Sequence, residues 1–276
     1  MERIDAHHHL WRYTPDEYGW IDDATMHALR LDFLPEDLAA EMRAAGVDGA
    51  IAVQARQTLE ETRWLLQLAA GSDTIRGVVG WAPIAAEAFA ASMEEFSTAP
   101  KLKGLRHIVQ AEPEDYLLRE DFNRGISALR GSGLVYDVLV YERQLPQAIE
   151  FVGRHPEQAF ALDHIAKPRI REGILEPWAS RIRELAKREN VSCKVSGMVT
   201  EADWSRWTVE TLKPYLDVVV EAFGPERLMA GSDWPVSLVA CGYAQWFGVL
   251  EEHFARFSEA ERDAVFGGTA ARVYRL

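Results

Sequence analysis

The chain has 276 residues, of which 48% are hydrophobic and 26% are charged, so it can form one large domain with a sizeable core. Its formal net charge of -13 and its lack of a basic cluster argue against nucleic acid and anionic membranes as partners. It has no run of about 18 apolar residues and no signal-peptide pattern, so we expect a cytoplasmic protein. The two cysteines, Cys193 and Cys241, form no redox or zinc-ribbon motif.

The first apolar run, from Arg3 to Leu10, contains three consecutive histidines. If this run is a strand, His7 and His9 point to the same face, and Asp5 is in phase with both. Two imidazoles at one strand end can bind a metal, polarise a carbonyl or transfer protons, and Asp5 could orient them. The alternatives are an affinity-tag remnant, which the aromatic continuation of the chain argues against, and a packing histidine.

Residues 11 to 34 form a long connection that is rich in aromatic side chains and too irregular for one helix. Loops of this length are often functional, and the alternative is a hydrophobic lid on the rim of the domain. A helix is predicted from Pro35 to Gly46, because a proline followed by acidic residues is typical of a helix start. A strand follows from Gly49 to Val53, and a capping box at Thr58 begins the next helix.

A short apolar run followed by a helical pattern then repeats along the chain. The other predicted strands are 75–81, 102–109, 133–140, 159–162, 191–195 and 227–230. The other predicted helices are 85–96, one beginning near 121, 145–153, 175–189 and 209–223. Pro214 is expected to mark a kink or boundary in the last of these. Eight such units without a linker predict an α/β fold, a (β/α)8 TIM barrel forming a single domain over residues 1–276.

Polar residues fall at the ends of six predicted strands, where active groups lie in this barrel. They are His7 and His9, Gln54 and Arg56, Arg106 and His107, Asp163, His164 and Lys167, Lys194 and Ser196, and Ser232 and Asp233. A single His or Asp at a strand end is most often a turn residue. If these residues lay in solvated loops, we would expect mainly Lys and Glu. The presence of four His and an Asp at the ends of different strands instead predicts an active site.

The set of residues is complete for hydrolysis by direct attack of water. Asp233 could accept a proton from water, while His or Arg cations, or a metal bound by His7, His9 and His164, polarise the carbonyl. The chain has no Gly-x-Ser-x-Gly motif, and neither cysteine lies in a recognisable nucleophile motif. We therefore expect no acyl-enzyme.

Five motifs resemble a known family. They are Asp5-x-His7-x-His9-x-Trp11-Arg12, Leu105-Arg106-His107, Leu162-Asp163-His164-x-x-Lys167-Pro168, Cys193-Lys194-x-Ser196-Gly197 and Gly231-Ser232-Asp233-Trp234-Pro235. At these residues the chain resembles the sugar-lactonase branch of the amidohydrolase superfamily, nearly end to end. The resemblance implies a hydrolase of carbohydrate catabolism that opens the ring of a sugar (aldono)lactone, such as L-fucono-1,5-lactone.

The resemblance also implies roles for individual residues. His7, His9 and His164 would face the carbonyl, and Asp233 would be the general base. Substrate contacts are implied for Arg106, His107, Lys194, Trp11, Gln54, Trp81 and Lys167. Ala166 stands where the motif usually has glycine.

The metal requirement stays open at this point. The resemblance implies one of two cases. Either no cofactor is strictly required, or one divalent metal ion, with zinc as the expected ion, binds to His7, His9, His164 and Asp233. Many members of the superfamily bridge two metals with a lysine at the end of strand four. Here that end carries Arg106 and His107, so no binuclear centre is expected.

Two other functions remain as alternatives. Related barrels use a similar set of three histidines and an aspartate in metal-dependent decarboxylases. A sugar-acid binding protein on a degenerate barrel is a third hypothesis, although binding alone would not require Asp233 as a base. A homodimer is the base-rate expectation for the oligomeric state.

Overall fold

Eight parallel strands in one sheet form the centre of the molecule. The structure is a computed structural model and describes residues 1–276. The strands are β1 (Ile4–His8), β2 (Gly49–Val53), β3 (Ile75–Gly80), β4 (Leu102–His107), β5 (Val135–Val138), β6 (Phe160–Leu162), β7 (Val191–Val195) and β8 (Leu228–Ala230). They pair in sequence order, as the predicted barrel requires.

Backbone hydrogen bonds just beyond β8 connect the last strand to the first. The N–H of Asp233 donates to the carbonyl of His7 at 2.8 Å, and the N–H of His9 donates to the carbonyl of Trp234 at 2.7 Å. Asp233 is thereby fixed directly beside the two histidines of β1. The predicted (β/α)8 barrel is confirmed.

Ten α-helices surround the barrel and complete its βα units. They are α1 (Pro35–Ala45), α2 (Leu59–Ala70), α3 (Phe89–Glu95), α4 (Glu120–Ala128), α5 (Leu145–Arg154), α6 (Trp178–Ala186), α7 (Val209–Phe223), α8 (Tyr243–Phe254), α9 (Glu259–Asp263) and α10 (Thr269–Tyr274). The Thr58 hydroxyl accepts from the N–H of Glu61 at 3.1 Å, as the capping box predicts. None of the helices combines the length and the hydropathy needed to span a bilayer.

Three details differ from the sequence prediction. Helices α3 and α6 are shorter than predicted because turns occupy much of the segments that precede them. Pro214 does not interrupt α7, which continues from Val209 to Phe223. It lies in the second turn, where its missing N–H removes one hydrogen bond without ending the helix.

Residue Asp5 is not in phase with His7 and His9. The pairing of β1 with β2 shifts by one residue between Asp5 and His8, so the strict alternation of side chains is lost there. The Asp5 carboxylate instead accepts from the backbone N–H groups of His7 at 3.0 Å and Ser232 at 2.8 Å. Its predicted role in orienting the imidazoles is therefore wrong; it connects the ends of β1 and β8.

The lower part of the barrel is filled by apolar side chains. Ile4, Ile51, Val79 and other strand residues form a buried cluster that includes Ala270 and Tyr274 of α10. A larger apolar core lies between the strands and the outer helices. The polar groups of the barrel are therefore concentrated toward the carboxyl ends of the strands.

Candidate active site

Three histidines converge on the carboxylate of Asp233 at the carboxyl end of the barrel. The Nε2 atoms of His9, His7 and His164 lie 3.4, 3.8 and 3.8 Å from Asp233 Oδ1. The Nε2 atoms of His7 and His9 are 3.2 Å apart. All four side chains are buried. Residues separated by more than two hundred positions in the chain thus form one compact cluster.

Hydrogen bonds at the far side of two rings fix their orientation. His9 Nδ1 lies 2.8 Å from the carbonyl of Val53, so this nitrogen carries the proton and donates. His164 Nδ1 lies 2.9 Å from the Ser196 hydroxyl, which can accept in the same way. Both rings can therefore present an unprotonated Nε2 to the cluster.

Two of the residues in the cluster sit on backbone that most side chains avoid. His164 begins a run of four positive φ angles, 51, 49, 60 and 46°, which ends at Lys167, and Asp233 has φ 55°. Each such non-glycine residue costs roughly 1–2 kcal/mol. Ala166 lies in this run, so the alanine occupies a left-handed position that glycine would adopt without strain. This strain lies at the ends of β6 and β8, where it directs His164 and Asp233.

A close approach of Gly197 completes the placement of His164. A Cβ at Gly197 would lie 2.6 Å from Nδ1 and 2.7 Å from Cγ of the His164 ring, and Gly197 itself has φ 63°. Only glycine accommodates both the backbone angle and the ring. The motif Ser196-Gly197 thus supplies a hydrogen-bond partner and space for His164.

Beneath the cluster lies a network of buried charges. Arg106 Nη1 is 3.0 Å from Asp163 Oδ2 and 3.3 Å from His7 Nε2. Lys194 Nζ is 3.0 Å from Asp163 Oδ1 and 3.2 Å from His7 Nδ1. Asp163 also lies 3.3 Å from His7 Nδ1. Charged groups therefore lie against both nitrogens of the His7 ring, Arg106 at Nε2 and Lys194 with Asp163 at Nδ1.

The network continues toward the bottom of the barrel. Lys194 Nζ donates to Asp137, and the Tyr274 hydroxyl donates to the other oxygen of Asp137 at 2.7 Å. Burial raises the pKa of Asp137 to about 6 despite the opposing effect of Lys194. The C-terminal helix α10 is thus connected to His7 through Tyr274, Asp137 and Lys194.

Burial favours neutral imidazoles at His7 and His164, and an ionised carboxylate is favoured at Asp233. Burial holds the pKa of His7 well below its usual value, although Asp163 opposes this shift. Burial likewise lowers the pKa of His164 to about 4. Burial alone would raise the pKa of Asp233, but His164 and His9 outweigh it and lower the pKa. At neutral pH the side chains of His7, His164 and Asp233 can therefore act as electron-pair donors.

This donor set fits a divalent cation. The ligand atoms of His7, His164 and Asp233 all lie within 4.8 Å of one another. The Nε2 atoms of His7 and His9 lie 3.2 Å apart, close enough to bind the same ion. Nitrogen and carboxylate ligands are those that zinc prefers.

A cavity of about 590 Å³ opens above the cluster. Its lining comprises His9, Trp11, Trp20, Met26, Ala55, Arg106, Ile108, Gln110, Ala111, Leu139, Tyr141, His164, Lys167, Thr200, Glu201, Trp204, Asp233, Val236 and Val239. The predicted site residues among them are His9, Trp11, Arg106, His164, Lys167 and Asp233. His7 lies just below, in contact with His9.

Four residues that were predicted to contact substrate do not border this cavity. They are Gln54, Trp81, His107 and Lys194. Lys194 lies within the charge network, and Gln54 Nε2 donates to the carbonyl of Arg106 at 3.2 Å. His107 follows Arg106 in β4 and points to the opposite face, where it bonds to Glu112 at 2.9 Å. Trp81 Nε1 donates to His107 Nδ1 at 3.2 Å.

Sequence reasoning missed several residues of the cavity wall. Gln110, Tyr141, Glu201 and Trp204 lie in loops that follow β4, β5 and β7, between three and nine residues beyond the strand ends. A search confined to strand ends does not reach them. Asp137 was also missed, although a charged residue between Val135 and Val138 of an apolar strand is a signal that could have found it.

The family model described as amidohydrolase matches residues 4–276. The chain belongs to the amidohydrolase family. An L-fucono-1,5-lactonase of Burkholderia multivorans is 43% identical, and one of Burkholderia ambifaria is 35% identical, each over 99% of this chain and 96% of the relative. A solved amidohydrolase from Burkholderia multivorans with bound zinc has a TM-score of 0.97 at 43% identity and covers 100% of both chains. The predicted family membership is confirmed.

Proposed function

We propose that this protein is a lactonase that hydrolyses the ring ester of a sugar (aldono)lactone such as L-fucono-1,5-lactone. The proposal rests on the convergence of His7, His9 and His164 on Asp233 at the base of a cavity. The 43% identity of the chain to an L-fucono-1,5-lactonase supports it. The aromatic side chains of the cavity suit the apolar faces of a sugar ring.

Asp233 acts as the general base in this proposal. Its lowered pKa keeps it ionised, and Oδ1 can accept a proton from a water molecule in the cavity. The water oxygen attacks the lactone carbonyl, and the bond between the carbonyl carbon and the ring oxygen then breaks. Asp233 returns the proton to the ring oxygen, which leaves as a hydroxyl of the open acid.

Arg106 stabilises the charge that develops on the carbonyl oxygen. It borders the cavity, and its Nη1 lies 3.3 Å from His7 Nε2. Asp163 and the carbonyl of Gln54 hold the guanidinium in place before substrate binds. A donor fixed in this way requires little reorganisation during the reaction, and such a contact contributes about 3–4 kcal/mol to transition-state stabilisation in other enzymes.

We also propose that one zinc ion binds to His7, His9, His164 and Asp233. When bound, it would polarise the carbonyl and lower the pKa of a water molecule. The donor set of the cluster and the zinc found in the similar amidohydrolase support this proposal.

The test is acid release from L-fucono-1,5-lactone and related aldonolactones, followed with a pH indicator. Enzyme treated with chelator is compared with enzyme resupplied with zinc. We expect turnover of at least one aldonolactone, and zinc binding that His164→Asn weakens in calorimetry. If no lactone is hydrolysed and carbon dioxide is released from aromatic or enoic acids, the decarboxylase hypothesis is supported instead.

A further inference from the structure

Two charged residues of the cavity have no role in the proposed reaction. Lys167 and Glu201 both border the cavity, yet neither belongs to the cluster around Asp233 or to the charge network beneath it. Lys167 ends the left-handed turn after β6, and Glu201 ends the short helical turn Val199–Glu201 after β7. Since β6 and β7 are neighbours, the two side chains share one side of the cavity.

The two charges form a loose ion pair. Lys167 Nζ lies 3.5 Å from Glu201 Oε1, and the side chains are 15% and 22% exposed. Nζ also lies 5.5 Å from the centre of the Tyr141 ring, which borders the same cavity. An ammonium has three N–H donors and a carboxylate about four acceptor positions. Most of this hydrogen-bonding capacity therefore faces the cavity without a protein partner.

Stability does not account for the pair. The two side chains are mostly buried, so the loss of hydration offsets much of the attraction between their charges, and the pair is weak evidence for stabilisation. The positive φ of 46° at Lys167 costs about 1–2 kcal/mol by itself. Burial also raises the pKa of Glu201, although Lys167 opposes this shift. The environment therefore disfavours the charged form of the carboxylate. The arrangement is better explained by binding of a ligand.

We propose that Lys167 and Glu201 form a diol-binding subsite that recognises two neighbouring hydroxyl groups of the sugar lactone. This inference rests on the proposed lactonase function. One hydroxyl accepts from the Lys167 ammonium, and its neighbour donates to the Glu201 carboxylate. Trp204, three residues after Glu201, borders the same cavity and offers an apolar surface to the ring. The subsite thus distinguishes hydroxylated lactones from unsubstituted ones.

The experiment compares L-fucono-1,5-lactone with δ-valerolactone. Both have a six-membered lactone ring, but only the first carries hydroxyl groups and a methyl group. The variants are Glu201→Gln, Lys167→Met and the conservative Lys167→Arg. We expect Glu201→Gln and Lys167→Met to lower the ratio of kcat/KM for the sugar lactone to that for δ-valerolactone by about 10- to 100-fold, as for a lost hydrogen bond to a charged group. The loss should lie mainly in KM, and Lys167→Arg should restore part of it.

Glu184 provides the matched control, because it forms an ion pair with Lys187 at 2.6 Å on the exposed surface of α6. Glu184→Gln should leave kcat/KM for both substrates unchanged. An unchanged ratio in Glu201→Gln, or an equal loss of kcat on both substrates, would overturn the subsite while leaving the lactonase function intact. If wild type hydrolyses neither substrate nor any other aldonolactone, the proposed function fails and the subsite fails with it.

Discussion

The buried ammonium of Lys194 allows a quantitative test of the charge network beneath His7. Lys194 is completely buried and contacts Asp137, Asp163 and His7. Lys194→Met keeps most of the length of the side chain and removes its charge. Asp163 would keep Arg106 as a partner, but Asp137 would keep only the hydroxyl of Tyr274.

The size of the effect follows from the unpaired charge. Removing one partner of a buried ion pair typically costs 3–5 kcal/mol, because the remaining group must either stay charged without its partner or take up a proton. We expect Lys194→Met to lower the free energy of unfolding by about this amount, a large part of the 5–15 kcal/mol that folded proteins usually have. The double variant Lys194→Met with Asp137→Asn removes both charges and should recover at least about 2 kcal/mol of the loss.

The measurement is equilibrium urea unfolding of wild type, both single variants and the double variant, followed by far-UV circular dichroism. Turnover should also fall in Lys194→Met, because His7 loses a contact at Nδ1. A loss below about 1 kcal/mol in Lys194→Met, or strictly additive losses in the double variant, would refute the proposed coupling between Lys194 and Asp137.

Two further predictions concern a glycine and a buried acid. Gly197→Ala should lower kcat/KM by at least about tenfold, because the added Cβ would displace the His164 ring. Gly173→Ala is the control, since Gly173 also has a positive φ but lies in open space. This variant should lower the free energy of unfolding by only about 1 kcal/mol and leave turnover unchanged. Burial raises the pKa of Glu61 from 4.5 to about 7, so its contribution to stability is complete below pH 4.5 and is lost as the pH rises through 7. The free energy of unfolding of wild type should therefore fall between pH 4.5 and 8, and Glu61→Gln should make this fall smaller by up to about 3 kcal/mol. Urea titrations at several pH values measure it, and the same pH profile in wild type and variant would contradict the prediction.

Much of the barrel and of the central cluster could be predicted from local patterns. Alternation along β1 correctly places His7 and His9 together, and the barrel topology brings His164 and Asp233 to the same end. These predictions succeed because strand ends in a closed parallel barrel meet at one place regardless of the loops.

The remainder depends on geometry that local patterns do not encode. A one-residue register shift in β1 turns Asp5 away from the imidazoles. Alternation in β4 places Arg106 inside the barrel and His107 outside it, although both stand at the same strand end. Glu201 reaches the cavity only through the path of its loop. Each of these positions requires the three-dimensional backbone.

Turnover of L-fucono-1,5-lactone by Asp233→Asn tests the proposed reaction most directly. Asp217→Asn is the control, since Asp217 is a partly exposed carboxylate on α7 that does not border the cavity. We expect Asp233→Asn to fold normally and to lose on the order of 10²- to 10⁴-fold in kcat, while Asp217→Asn retains the wild-type rate. Near wild-type turnover in Asp233→Asn would contradict the assignment of Asp233 as the base.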